Sequence, residues 1–131
     1  MAIYRDSINT SSVGSTPPLV SWTIVRGDTS SFQVYVTDDT ETPIDVADWT
    51  IDMAIKRPVT PGEFTDNASL IVFINPAATE NDGPGEFTVA LTKEESAILQ
   101  TGDIFDIELS KVGTVWTVAR GTITLLEDVT N

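Results

Sequence analysis

In residues 31–37, SFQVYVT, apolar and polar side chains alternate: Phe32, Val34 and Val36 share one parity, Gln33, Tyr35 and Thr37 the other. A period of two places alternate residues on opposite faces, so the segment is a strand with one buried face, and a helix is ruled out for it. TIDMAIK repeats the pattern with Ile51, Met53 and Ile55, EFTVAL with Phe87, Val89 and Leu91, DIFDIELS with Phe105, Ile107 and Leu109, and TITLLE with Ile123 and Leu125. LIVFI, residues 70–74, is apolar at both parities, and TVWTVAR has no single parity. Clusters of Gly, Pro, Asn and Asp separate these segments. About seven short strands at this spacing predict an all-β fold, an immunoglobulin-like antiparallel β-sandwich.

One short helix interrupts the series. In TKEESAILQTG, Thr92 is an N-cap with Glu95 three residues on, and Gly102 is placed to end the helix. Connections such as TDDTETP and KVG are short enough for hairpins, whereas 57–68 and 75–85 read as longer loops. Residues 1–21 are rich in Ser, Thr, Pro and Gly and lack a sustained apolar period, so they form an extended N-terminal arm before a domain at 22–131. The arm carries apolar anchors at Ile3, Tyr4, Ile8, Val13 and Leu19. Segments of this kind order on a partner by adding a strand to a sheet edge, so these five are the predicted partner-binding residues, the first three as buried contacts.

The chain has no cysteine and no histidine, which removes disulfides, thiolate nucleophiles, imidazole bases and nearly every zinc or iron site. Twenty acidic against seven basic residues give a formal net charge of -13. Nucleic-acid phosphate and anionic lipid repel such a chain, so neither nucleic acid nor a membrane is an expected partner. The N-terminus has no basic stretch followed by an apolar one, so a secretory signal is not expected.

Carboxylates are the remaining chemical resource. Asp38, Asp39 and Glu41 crowd one turn, Asp45, Asp48 and Asp52 follow, and Asp103, Asp106 and Glu108 lie on a single strand. Two carboxylates can run glycoside hydrolysis, but only across a cleft and in unequal environments. Alternation with Phe105, Ile107 and Leu109 assigns Asp106 and Glu108 to a solvated face, and the whole set reads as surface or turn-forming residues. DDTETPIDVAD lacks the spacing and the central glycine of a calcium loop. Trp22, Trp49 and Trp116, with Tyr4 and Tyr35, offer either a platform for sugar rings or packing, and packing is the reading adopted. No catalytic residue, metal site or cofactor is expected. The tripeptide Arg26-Gly27-Asp28, which matches an integrin ligand, lies between two β-prone runs and reads as a strand-to-strand turn.

The order of the segments VRGDTSSFQVYV, TPIDVADWTIDMAIK, GEFTVALTKEESAILQTGDIFDIEL and GTVWTVARGTITLLEDVT, over roughly residues 22–130, resembles the small immunoglobulin-like domains of tailed-bacteriophage virions. It is similar in particular to the N-terminal domains of baseplate upper proteins and tail or fibre adaptors. Its shared motifs are turns, caps and strand patterns, and none is a catalytic signature. The resemblance implies a non-enzymatic virion structural protein, assembled in the host cytoplasm, whose partners are other virion proteins in multiple copies around a symmetric assembly. Where those proteins continue into a stalk or receptor-binding domain, this sequence stops at Asn131, which is expected of an adaptor or a decoration subunit; the resemblance favours a tail, baseplate or fibre adaptor. Capsid decoration is the alternative, and a free carbohydrate-binding or adhesion module touching host glycan is a third reading.

Overall fold

The computed structural model describes residues 2–9, 19–37, 42–43, 49–75, 81–83 and 86–127. Two sheets share one hydrophobic core. The four-stranded sheet has the order β1 (Ala2–Asn9), β3 (Ser30–Thr37), β7 (Glu86–Leu91), β6 (Asn81–Gly83). The five-stranded sheet runs β2 (Leu19–Val25), β9 (Thr114–Leu126), β8 (Ile104–Lys111), β4 (Thr50–Arg57), β5 (Ser69–Ile74). Val34, Phe87 and Val89 from the first meet Trp22, Met53, Ile107 and Trp116 from the second in a continuous cluster, the two-layer arrangement of a β-sandwich.

Alternation sets which side chains enter that core. Ile51, Met53 and Ile55 are buried, as are Phe87, Val89 and Leu91, and Phe105, Ile107 and Leu109. The mixed parity of TVWTVAR has a local cause. Ile107 pairs with Ala119 but Glu108 pairs with Thr117, so Val118 is an extra residue in β9. This β-bulge lets Trp116, Val118, Ala119 and Ile123 all be buried although their parity changes midway. Edge strand β5 buries Val72 and leaves Leu70 and Phe73 exposed, so LIVFI is apolar on both faces without being buried on both.

Four sequence expectations need correction. The sandwich is not wholly antiparallel: β1 pairs parallel with β3, and β2 pairs parallel with β9. Neither pair is joined by a short turn, so no hairpin forces them antiparallel. Second, the residues assigned to an arm contain β1 and the start of β2, with Val20 in the core. A strand needs only a free edge to complete its backbone hydrogen bonds, and β3 and β9 supply one each. Third, β6 lies inside the stretch read as a loop at 75–85. Fourth, the turn after β2 joins different sheets rather than closing a hairpin, since β2 and β3 do not pair. KVG does form the predicted hairpin, between β8 and β9, with Gly113 at φ 77°.

Helix α1 (Lys93–Ala97) has the predicted capping box: Glu95 N–H donates to Thr92 Oγ1 at 3.1 Å, and Thr92 N–H donates to Glu95 Oε1 at 2.9 Å. It ends earlier than Gly102, because Ile98 and Leu99 N–H groups turn to the carbonyls of Glu95 and Ser96 and Leu99 is drawn fully into the core. Gly102, at φ 96°, serves another purpose: a Cβ there would lie 2.5 Å from Pro61 Cβ, so glycine lets the 57–62 segment close over the start of β8.

Candidate functional site on the outer face of the five-stranded sheet

The turn at Arg26-Gly27-Asp28 is held against α1 on every side. Asp28 N–H donates to Val25 O at 3.1 Å, and Gly27 takes φ 83°, the conformation a type II turn asks of its third residue. Gly27 N–H donates to Ser96 Oγ at 3.0 Å, and that hydroxyl donates to Asp28 O at 2.8 Å. Arg26 Nη1 donates to Ala97 O at 2.7 Å, at the negative end of the helix, and Nε pairs with Glu127 at 2.8 Å. A guanidinium committed in this way is a structural clamp, and the tripeptide is a turn.

The three tryptophans divide between core and rim. Trp22 and Trp116 are buried; Trp22 meets Phe105 edge-on at 6.1 Å between centroids, and Trp116 meets Trp49 at 5.9 Å. The outer ring of Trp49 is covered by Lys111 Nζ at 4.4 Å. These contacts are packing, and they leave no flat row of rings among the three.

Of the predicted partner-binding residues, Ile3, Tyr4 and Ile8 lie on β1, opposite Ser31, Phe32 and Val36 of β3. Leu19 opens β2 opposite Arg120, with its side chain exposed. Val13 lies outside the described residues, as do Asp38, Asp39, Glu41, Asp45 and Asp48. The structure therefore places four of the five predicted contact residues on two strands at the edges of two sheets, rather than at one site.

Asp103, grouped by sequence with the surface carboxylates, is instead buried. Arg57 Nε donates to its Oδ1 at 2.8 Å and Arg57 Nη2 to its Oδ2 at 2.9 Å, while Gln100 N–H donates to Oδ2 at 2.8 Å. This carboxylate holds the Arg57 guanidinium above its usual pKa, chiefly through the hydrogen bond. Parity contained the signal: Asp103 falls in step with Phe105 and Ile107, and Arg57 with Ile55, so both point inward at neighbouring strand ends.

Asp106 and Glu108 face outward as expected, but they are not freely solvated. Asp106 lies opposite Ala54 of β4 and Arg120 of β9, and Glu108 opposite Asp52. Segment 64–66, from the β4–β5 connection, rises beside them, and the Arg120 guanidinium stacks 4.3 Å above the Phe64 ring. The result is a cavity of about 300 Å³ lined by Lys56, Phe64, Thr65, Asp66, Asp106 and Arg120 over Ala54. Burial raises the Asp106 carboxyl pKa, against the opposing fields of Lys56 and Arg120. Burial also raises Glu108, followed by repulsion from Asp106 and Asp52, with Lys56 opposing.

A raised folded pKa means that the native state holds its proton to higher pH than the unfolded chain does. The contribution of Glu108 to stability is thus fully present below its unfolded value of about 4.3 and is lost as pH rises through the folded value. Glu108→Gln should therefore melt at a higher temperature than the wild type at pH 7, with the gap closing toward pH 4. Circular-dichroism melts at both pH values check this, and an equal or lower melting temperature at pH 7 contradicts it.

No family model matches the sequence, and no curated protein does. Among solved structures, the chain aligns with the N-terminal domain of phage TP901-1 ORF48 at a TM-score of 0.57 and 7% sequence identity, covering 95% of this chain and 98% of that one. An uncharacterized protein from Bacillus anthracis str. Ames aligns at 12% identity over 94% of this chain and 86% of that chain, with a TM-score of 0.39, too low to bear on the fold. At 7% identity the first likeness is one of architecture: the chain shares its fold with a phage domain.

Proposed function

We propose that this chain is a structural subunit of a bacteriophage particle, a tail, baseplate or fibre-adaptor domain held by protein–protein contacts in several copies, with no catalytic role. The observation that carries the reading is the shared fold with a phage domain over nearly the whole of both chains. The segment order in the sequence supports it independently. The acidic balance suits a subunit that meets other proteins rather than nucleic acid.

In this reading the N-terminal segment is the assembly element. β1 lies at one edge of its sheet and β2 at an edge of the other, and Leu19 presents an apolar side chain from the second. Edge strands that offer unpaired backbone groups and exposed apolar side chains are where another chain joins. Mass spectrometry of purified particles tests the class: absence from the mature particle rejects it. Copy number separates a tail or baseplate position, in multiples of three or six, from a decoration subunit present in hundreds.

Deleting residues 2–18, which stops short of the buried Val20, is expected to reduce incorporation when the truncated subunit competes with the wild type. Leu19→Asp provides the control for folding, because it alters an exposed side chain and leaves every strand in place. Wild-type incorporation of a folded Leu19→Asp subunit, together with that of the truncation, would remove the N-terminal segment from the assembly contact.

A further inference from the structure

Basic side chains are scarce in this chain, and two of the seven meet at one place. Among the described residues the ion pairs are Arg26–Glu127 and Arg57–Asp103. Lys56 and Arg120 form neither. Both turn into the outer-face cavity, on either side of Asp106, which they influence through space without a direct ion pair. Stacking on Phe64 fixes the plane of the Arg120 guanidinium and leaves its N–H edges for hydrogen bonding.

The cavity thus offers ammonium and guanidinium donors, a partly desolvated carboxylate between them, the Thr65 hydroxyl and a second, exposed carboxylate on Asp66 that can also accept from hydroxyls, around about 300 Å³. That volume is at the small end of ligand sites, about 300–1,000 Å³, and suits one ring with its substituents. An inorganic anion would satisfy the two cations and leave the Asp106 acceptors facing it. A neutral sugar would satisfy Asp106 and leave the two cations without a counter-charge. A ligand that joins an anionic group to neighbouring hydroxyls satisfies all three.

We infer that this cavity binds a sugar acid or sugar phosphate, its anionic group seated between Lys56 and Arg120 and its hydroxyls donating to Asp106. The inference is independent of whether the subunit belongs to a particle, so its failure leaves that reading untouched. In a particle the ligand would be a charged cell-surface glycan; in isolation, a free sugar acid or sugar phosphate.

The test is a titration of the full chain, followed by amide chemical shifts, with glucuronate, glucose 6-phosphate, glucose and inorganic phosphate. A single small ring in a shallow site corresponds to a dissociation constant of about 1 mM for the two charged sugars. Glucose and phosphate should each bind at least about tenfold more weakly, because each leaves part of the site unpaired. Lys56→Met and Arg120→Gln should each weaken glucuronate by about tenfold or more. Asp106→Asn should weaken glucuronate relative to phosphate, because it removes carboxylate acceptors for the sugar hydroxyls and also the like charge that faces an inorganic anion.

Oligouronate binding as tightly as the monomer assigns the cavity to a polymer, and binding of the monomer alone assigns it to a free sugar acid. Three results overturn the inference: no shifts at these residues with either charged sugar, phosphate binding as tightly as the sugars, or glucuronate binding unchanged in a folded Lys56→Met variant.

Discussion

Asp103→Ala is expected to cost about 3 kcal/mol of stability, since it removes a buried carboxylate that accepts three hydrogen bonds, two of them from a partly exposed guanidinium. Three segments meet at this carboxylate: Arg57 at the end of β4, Gln100 in the stretch after α1, and the start of β8. Alanine leaves Arg57 with only the Ile98 carbonyl, which its Nη2 reaches at 2.8 Å, and leaves the Gln100 N–H without its acceptor. For a domain of this size the loss corresponds to a fall in melting temperature of roughly 10 °C. Urea unfolding gives the free energy directly. Asp103→Asn keeps an acceptor for Gln100 but loses the charge, so it should fall between the wild type and alanine. The paired replacement Arg57→Met with Asp103→Leu should recover most of the loss, because an apolar pair of similar bulk needs no counter-charge. A change below about 1 kcal/mol for alanine would mean that water replaces the carboxylate without penalty.

Gly121→Ala is expected to detach β2 from β9, at a cost of roughly 3 kcal/mol, the upper range for forcing volume into a packed site. Gly121 is buried, paired with Val20 on one side and Phe105 on the other. A Cβ at this position would collide with the Val20 carbonyl oxygen, and it would lie 2.7 Å from the Phe105 ring. The ring has little freedom to yield, since Trp22 packs edge-on against it. The carbonyl belongs to the backbone, so relief requires β2 as a whole to move. Two readouts separate this from general destabilisation: β2 amides should lose hydrogen-exchange protection ahead of β4 and β8, and Trp22 fluorescence should shift to the red in the native baseline. Native-like exchange and emission in Gly121→Ala would show that the sheet accommodates the methyl group.

The outer-face cavity was illegible in the sequence for a specific reason. Lys56, Phe64, Asp106 and Arg120 come from β4, the β4–β5 connection, β8 and β9. No short-range spacing links them, and Asp106 by itself has the alternation of any solvated strand residue. The Arg57–Asp103 pair was half legible. Parity directs both residues inward, but only the register that sets Lys56 opposite Ile104 makes them neighbours. The N-terminal segment shows the opposite case, in which average composition misled: residues 1–21 are Ser- and Thr-rich as a whole, yet Ala2–Asn9, with one serine and no threonine, forms β1, and strand addition through backbone hydrogen bonds makes weak demands on side chains.

What the sequence determined by itself is what depends on near neighbours. Period-two alternation assigned Ile51, Met53, Ile55, Phe87, Val89, Leu91, Phe105, Ile107 and Leu109 to the core, and each is buried. Thr92 and Glu95 determined the start of the only helix found among the described residues, through hydrogen bonds spanning three residues. The tertiary structure alone decided which strands became neighbours, and with that the two parallel pairs, the bulge at Val118, the burial of Asp103 and the gathering of Lys56, Asp106 and Arg120 over one cavity. The physical reason is that alternation states which face a residue occupies and nothing about the strand beside it. Strand neighbours are chosen by the joint burial of both sheets, a property of the whole chain.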